Sequence, residues 1–293
     1  GIQIKVMKES VQAEVPKEKM EELRGIGDDV AKLNVIADKQ LRMYIGKLQS
    51  IASLIFTLRP FVSALWAALY AESPGAPMAC TWVQQFRHAL DWIRVFFHTH
   101  AAAPITRTFY LRAHLNLGVK ICITTDASPW GIGGFITADG IVVGYFMDAI
   151  SSQDEWVLGQ WRGTHEGQQC FEALASLVAL RLWVKLWATG RCNLAVRSDN
   201  MTTCALVRDL KGKSTGLKLI ASELALDIAD ATHEPDVVEH TPGLQNKVAD
   251  VLSRKYEPGV KWELPAILKD ATQCTVITRT ESWWRSLYPP PLR

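Results

Sequence analysis

The sequence predicts an α/β fold in which a mixed sheet is flanked by helices and preceded by a helical region. Apolar residues recur at helical spacing up to about residue 100, whereas short β-branched runs begin at residue 119. From there the segments follow the order βββαβααβα, which is typical of a mixed sheet. The chain has 293 residues, 48% hydrophobic and 21% charged, which indicates about two folded domains and excludes a disordered chain.

The helical region is predicted for residues 14–116, after a strand within residues 1–13. Apolar spacing indicates helices at 16–33, 38–58, 61–70 and 81–99, and residues 101–108 predict a linker. Arg59-Pro60 divides the apolar stretch 51–71, so two packed helices are favoured over a membrane span.

The triplet "GDD" at residues 27–29 copies the core of a polymerase motif. That motif needs a turn between two apolar strands, whereas the flanks here are charged and helical. We therefore interpret Asp28 and Asp29 as a helix break and cap, and expect no polymerase active site within this chain.

The sheet is predicted for residues 117–257, followed by a tail at 258–293 without recognisable chemistry. Asp139-Gly140 predicts a hairpin turn. The strands are expected in "VKICITTDA", "GIGGFITAD", "IVVGYFMD", "CNLAVRSDN" and "PDVVEHTPG". A loop is expected at 151–167, and helices at 168–190, 201–210, 215–231 and 244–256.

Four acids stand in apolar surroundings at the ends of these elements: Asp126, Glu172, Asp199 and Asp250. Strand ends and helix starts meet at one edge of such a sheet, so the four side chains are expected to converge. Converging carboxylates repel one another, and divalent cations with oxygen ligands relieve that repulsion. Taken singly, each acid has an ordinary alternative, such as a helix cap at Asp199.

Four sequence blocks carry a family resemblance: "TDASPWGIGG", "FEALASLVAL", "RSDN" and "HTPGLQNKVADVLSR". In this order they resemble the ribonuclease H domain of retroelement reverse transcriptases of the LTR and DIRS types. The resemblance implies a five-stranded ribonuclease H-like sheet and endonucleolytic hydrolysis of the RNA strand of an RNA–DNA hybrid. It also implies two Mg²⁺ ions, for which Mn²⁺ is expected to substitute.

The same resemblance implies that the four acids are the catalytic metal ligands. Asp126 would bridge the two ions, Asp250 would join it on one, and Glu172 and Asp199 would hold the other. It implies a proton-transfer or product-release role for His240. Nucleic-acid contacts are implied for five polar residues: Ser128, Gln168, Gln169, Asn200 and Asn246. The ordinary alternatives are an exposed loop for His240 and first-turn positions for the glutamines.

Residues 14–116 resemble a reverse-transcriptase thumb, and residues 1–13 resemble the last palm strand. The chain is then expected to be a polyprotein fragment whose fingers and palm lie upstream. Residues 1–119 carry 14 Lys/Arg and 10 Asp/Glu, a balance of +4, against 13 and 16, or −3, for residues 120–256. This asymmetry suits a helical half that contacts phosphates beside an acidic, metal-loaded half.

The six cysteines show no paired spacing, which favours free thiols in a reducing compartment. The chain is expected to be intracellular, cytoplasmic or nuclear, with no secretion signal and no membrane partner. Two alternatives stay open. One is a catalytically idle nucleic-acid-binding module from a degraded element, and the other is an integrase- or resolvase-type nuclease of related fold.

Overall fold

The computed structural model describes residues 2–99, 105–111, 115, 117–188, 192–231, 235 and 237–292. The chain divides into two compact units. The first unit comprises Gly1–Tyr110 with Arg285–Arg293, and the second comprises Leu111–Trp284. In the described part of the chain, no helix combines the length and apolar character needed to cross a membrane.

The first unit contains helices α1 to α4 and two small antiparallel sheets. The helices are α1 (Lys17–Ala31), α2 (Asp38–Ala52), α3 (Arg59–Tyr70) and α4 (Arg87–Thr99). One sheet has the order β1-β2-β5, formed by β1 (Gln3–Val6), β2 (Ser10–Glu14) and β5 (Thr106–Tyr110). The other pairs β3 (Val35–Ala37) with β4 (Cys80–Trp82). Helix α1 packs on α4 and α2 packs on α3, around Leu41, Tyr44, Leu48 and Leu90.

Three predictions for this unit were wrong in detail. Strand β5 lies where a linker was expected, residues 3–14 form a hairpin instead of one strand, and β3 and β4 interrupt the helices. The predicted break at Asp28 and Asp29 is also absent, because α1 runs on to Ala31. Asp28 instead accepts a hydrogen bond from Arg94 at 2.8 Å and contacts His98, both on α4.

The second unit is built on a six-stranded sheet of order β10-β9-β6-β7-β8-β11. The strands are β6 (Lys120–Ala127), β7 (Gly131–Ala138), β8 (Ile141–Ala149), β9 (Asn193–Ser198), β10 (Val237–His240) and β11 (Thr272–Gln273). β7 is antiparallel to β6 and β8, whereas β9 and β10 run parallel to β6. The predicted mixed sheet flanked by helices is confirmed, with β11 as an unexpected sixth strand.

The helices of this unit are α5 (Ser152–Leu158), α6 (Gln168–Trp183), α7 (Lys185–Ala188), α8 (Met201–Asp209), α9 (Thr215–Ala231) and α10 (Lys247–Ser253). Helix α5 occupies part of the expected 151–167 loop, because Ser151 and Asp154 form a capping box. The single helix predicted for 168–190 was wrong in its extent, because α6 ends at Trp183 and the separate helix α7 follows it; residue 190 lies outside the described residues. Asp139 and Gly140 both have positive φ, 48° and 86°, as the predicted hairpin requires.

Glycine allows α10 to approach the sheet closely. Gly133 stands opposite Asp126 in the β6–β7 register. A Cβ atom at Gly133 would lie 2.5 Å from the Cβ atom of Leu252 and 2.6 Å from the backbone nitrogen of Ser253. Helix α10 therefore lies on the face of the sheet to which the Asp126 side chain points.

The tail folds onto the second unit as far as Trp284. Strand β11 pairs in parallel with β8, and Leu268 is buried beside Tyr145 and Leu252. Arg279 is 3% exposed and reaches the start of α5, where it pairs with Asp154. The tail thus completes the core of this unit, a role that its composition did not indicate.

Candidate metal and catalytic site

Asp126 is the last acid of the central strand β6 and is 4% exposed. Its Oδ2 atom accepts a 2.7 Å hydrogen bond from the Ser253 hydroxyl, and its Oδ1 atom accepts one from the Asn246 amide at 3.2 Å. Both donors are neutral. Ser253 of α10 and Asn246, which directly precedes α10, therefore orient the carboxylate without supplying a compensating charge.

Glu172 enters the same region from the second turn of α6 and is also 4% exposed. Its Oε1 atom accepts a 3.1 Å hydrogen bond from the Gln168 amide, one helical turn earlier. Its Oε2 atom is buried and has no hydrogen-bond partner among the described residues. An unpartnered buried carboxylate oxygen is costly, which indicates that this atom is built to meet something else.

Asp199 follows β9, the neighbour of β6 in the sheet, and is half-buried. Carboxylate oxygens of Asp126, Glu172 and Asp199 lie within 4.8 Å of one another. The structure therefore brings together three of the four predicted acids as the acidic triad.

Asp250 lies on α10 near the triad but is not part of it. Its side chain is 42% exposed, and its Oδ1 atom accepts a 2.7 Å hydrogen bond from Nε of Arg254, one turn later. The fourth predicted acid is thus paired with a cation that the chain itself supplies.

Burial and mutual repulsion raise the pKa values of two triad acids, Asp126 and Glu172. Burial first, and then the charges of Asp199 and Asp250, raise the pKa of Asp126 to about 7. Burial, followed by the charges of Asp126 and Asp199, raises the pKa of Glu172 well above its usual range. Shifts of this kind are typical of functional carboxylates.

The triad fits a divalent cation. Three carboxylates offer hard oxygen ligands from two adjacent strand ends and one helix, and the Oε2 atom of Glu172 is a ligand without another partner in the described part of the chain. A bound cation would offset the repulsion that raises these pKa values. The residues that could hold it are Asp126, Glu172 and Asp199, with Asp250 available if it leaves Arg254.

His240 ends β10 and is exposed. Its Nε2 atom lies 2.9 Å from the backbone oxygen of Asp199, which ties it to the strand end that carries a triad acid. A mobile-loop role for His240 is not tested by this contact and stays a prediction.

The predicted nucleic-acid contacts lie in different settings. The Ser128 hydroxyl is buried and used internally, donating to the Ser253 carbonyl and accepting from the Gly131 amide. Asn200 caps α8 by accepting from the amides of Thr202 and Thr203. Gln169 is exposed at the start of α6. Their contacts with nucleic acid stay predictions, and Gln169 is the most accessible of these three.

The two remaining amides, Gln168 and Asn246, act inside the site. Gln168 donates to the Ala127 carbonyl as well as to Glu172. Asn246 donates to Asp126 and to the Thr125 carbonyl, while its own Oδ1 atom is buried and meets no hydrogen-bond donor of the described residues. Both amides therefore position triad acids.

Sequence reasoning missed Ser253, Arg254 and Gly133. All three lie within the quoted blocks: Ser253 and Arg254 follow Asp250 at the third and fourth positions, and Gly133 follows Asp126 by seven. Helical i,i+3 and i,i+4 spacing was the available signal for the first two.

Comparison with protein-family models and with curated proteins found no match. Several solved structures are similar, among them two ribonuclease H domains and a viral reverse transcriptase. The N-terminal ribonuclease H domain of Rv2228c from Mycobacterium tuberculosis, fused to maltose-binding protein, has 21% identity and a TM-score of 0.35, covering 47% of this chain and 94% of that one. Ribonuclease H1 from Halobacterium salinarum has 16% identity and a TM-score of 0.34, covering 46% and 92%.

The third is the foamy viral protease-reverse transcriptase dRH in complex with double-stranded DNA. It has 13% identity and a TM-score of 0.28, covering 81% of this chain and 38% of that one. At these identities the likeness is one of fold.

Proposed function

We propose that this chain is a metal-dependent ribonuclease H, which hydrolyses the RNA strand of an RNA–DNA hybrid. The observation that carries the proposal is the acidic triad of Asp126, Glu172 and Asp199, whose carboxylate oxygens lie within 4.8 Å of one another. One buried Glu172 oxygen also lacks a hydrogen-bond partner among the residues that the structure describes. Such a cluster without an internal cation suits divalent ions, and Mg²⁺ is the expected one.

Asp126, Glu172 and Asp199 would hold the metal, with Asp250 completing a second position beside Asp126. Two divalent ions bound there would supply Lewis-acid activation for in-line attack of water on a phosphodiester. The chain's own contribution is orientation: Ser253 and Asn246 fix the Asp126 carboxylate, and Gln168 fixes that of Glu172.

His240 is proposed to transfer a proton near the site or to assist product release. Its Nε2 atom is held 2.9 Å from the Asp199 backbone oxygen, while the ring as a whole is exposed. An exposed imidazole can exchange protons with solvent and with a substrate group.

The hybrid substrate is supported by the four-block resemblance, which places these acids in the order of the reverse-transcriptase ribonuclease H domain. We accordingly propose that residues 14–116 serve as a thumb that contacts phosphates. The polymerase fingers and palm would be supplied by an upstream part of a retroelement polyprotein. Discrimination of RNA from DNA would depend on the 2′-hydroxyl.

The test is cleavage of an end-labelled RNA–DNA hybrid in Mg²⁺ by the wild-type chain and by Asp199→Asn, with double-stranded DNA as a second substrate. Asp209→Asn is the matched control, because Asp209 ends α8 beside Arg208 on the surface. We expect cutting of the RNA strand alone, retained in Asp209→Asn and reduced by a factor on the order of 10² to 10³ or more in Asp199→Asn.

Two results would contradict the proposal. Equal cleavage by wild type and Asp199→Asn would exclude the triad as the catalytic site. Hybrid binding without cleavage by the wild-type chain, alone and after addition of the upstream polymerase part, would identify the catalytically idle module instead.

A further inference from the structure

Arg254 is the cation nearest to the candidate site among the described ion pairs. Its Nε atom donates to Oδ1 of Asp250 at 2.7 Å, and one of its terminal nitrogens donates to Glu257 at 3.0 Å. The pKa of the Arg254 guanidinium is raised, and the hydrogen bond to Asp250 is the largest cause. Arg254 is thus shared between an acid of the site and an acid outside it.

This pairing explains why only three of the four acids cluster. The oxygens of Asp126, Glu172 and Asp199 are free of cationic partners among the described residues, whereas Asp250 already has one. The charge of Arg254 also reaches the triad. Burial is the largest influence on the pKa of Asp126 and raises it, whereas the charge of Arg254 is a smaller influence that lowers it.

The Asp250–Arg254 pair is also easily opened. Both side chains are more than two-fifths exposed, at 42% and 44%, and an exposed i,i+4 pair is a weak interaction. Glu257 is 27% exposed and already contacts the same guanidinium. Arg254 can therefore release Asp250 while keeping an anionic partner.

We propose that Arg254 is an internal counter-cation that competes with a second divalent ion for Asp250 and passes to Glu257 when that ion binds. The inference rests on the proposed function, since it concerns the metal position beside Asp126 and Asp250. It makes the two metal positions unequal: the triad is open in the free chain, and the Asp250 position opens only when Arg254 leaves. Arg254 is a positioning residue, not a ligand.

The test is Mn²⁺ binding to the full chain without nucleic acid, measured by titration calorimetry and by electron paramagnetic resonance. Wild type is expected to bind a tighter and a weaker ion, and Asp250→Asn is expected to remove the weaker event. Arg254→Gln should tighten the weaker event about two- to fivefold, which corresponds to an exposed ion pair. Arg254→Lys, which keeps the charge, should stay near wild type.

Glu257→Gln gives the second arm. If Glu257 acts by drawing Arg254 away from Asp250, its loss should weaken the second ion in the wild-type background and change nothing in the Arg254→Gln background. The same weakening in both backgrounds would mean that Glu257 acts by its charge alone, which would overturn the transfer of Arg254.

Other outcomes are equally decisive. An unchanged or weaker second ion in correctly folded Arg254→Gln would overturn the competition, as would wild-type binding that Asp250→Asn does not alter. Because metal binding is read without substrate, a chain that shows these shifts but leaves hybrids uncut would refute the proposed function alone.

Discussion

The second unit buries acids at two places, Asp154 at the start of α5 and the acidic triad, and the two differ in whether a cation of the chain pairs with them. Asp154 is 0% exposed and receives hydrogen bonds from the guanidinium of Arg279 at 2.8 to 3.0 Å. Asp126 and Glu172 are each 4% exposed and, within the described part of the chain, receive hydrogen bonds only from neutral groups. Arg279 therefore neutralises Asp154, whereas no cation of the described residues pairs with Asp126 or Glu172.

The difference separates a structural cluster from a functional one. Arg279 also donates to the Ala149 carbonyl, so its charge and its hydrogen bonds are satisfied at the end of β8. In the triad, burial and repulsion raise the pKa of Asp126 to about 7, and the Glu172 Oε2 atom has no hydrogen-bond partner within the described ranges. A buried acid that the fold leaves unpaired is the better indicator of an external cation.

The largest expected effect comes from removing Arg279, the cation that pairs with the buried Asp154. Arg279→Met leaves Asp154 buried without its cation, so we expect the free energy of unfolding to fall by about 3–5 kcal/mol. Urea denaturation followed by circular dichroism measures it. Arg208→Met is the control, because the pair that Arg208 forms with Asp209 is exposed and its removal should cost less than about 1 kcal/mol. Equal losses in both variants would contradict the distinction.

The second prediction concerns the acidic triad and its response to Mg²⁺. Mg²⁺ at roughly 100 times its Kd should stabilise the wild-type chain by about 2.7 kcal/mol. Glu172→Gln should lose that response, and its metal-free form should gain about 1 kcal/mol because repulsion falls and the amide can donate a hydrogen bond. Thermal unfolding with Mg²⁺ or EDTA measures both. Glu166→Gln, in the exposed preceding segment, is the control. A full Mg²⁺ response in Glu172→Gln would refute the metal site.

The convergence of Asp126, Glu172 and Asp199 was predictable because it follows from periodicity and topology. An acid at the end of each of two neighbouring strands and one near a helix start must share the carboxyl edge of a mixed sheet. The sequence carried that information locally, in the apolar runs before each acid. The hairpin at Asp139-Gly140 was predictable for the same reason, since only the turn residues decide it.

Other features could not be predicted because they depend on contacts between distant segments. Arg279 finds Asp154 from 125 residues away, and no spacing rule connects them. Ser128 has the composition of a surface contact, yet its hydroxyl is buried between the Gly131 turn and the Ser253 carbonyl. Whether Asp250 faces a metal or Arg254 depends on side-chain competition within one helix, which the pattern of acids leaves open.

The third prediction concerns the position of α10, the helix that carries Asp250 and the hydrogen-bond donor Ser253. Gly133→Ala places a Cβ atom 2.5–2.6 Å from atoms of Leu252 and Ser253, including backbone, so the helix must shift. We expect a loss of about 1–3 kcal/mol in the free energy of unfolding and weaker Mg²⁺ stabilisation than in wild type.

Denaturation with and without Mg²⁺ measures both effects of Gly133→Ala. Gly46→Ala is the control: Gly46 lies inside α2 with no atom near its would-be Cβ, so alanine there should be neutral or slightly stabilising. A Gly133→Ala chain with wild-type stability and metal response would show that the close approach of α10 is not required.

The smallest expected effect separates a cap from a substrate contact at Asn200, the neighbour of the triad acid Asp199. The Asn200 Oδ1 atom accepts from the Thr202 amide at 2.9 Å and the Thr203 amide at 3.2 Å, so Asn200→Ala should cost about 1 kcal/mol of unfolding free energy. Asn200→Ser retains a cap and should retain most of the stability. If Asn200 acts as a cap alone, both variants keep the wild-type KM for an RNA–DNA hybrid. A raised KM in the stable serine variant would instead make Asn200 a nucleic-acid contact, because its cap would be intact.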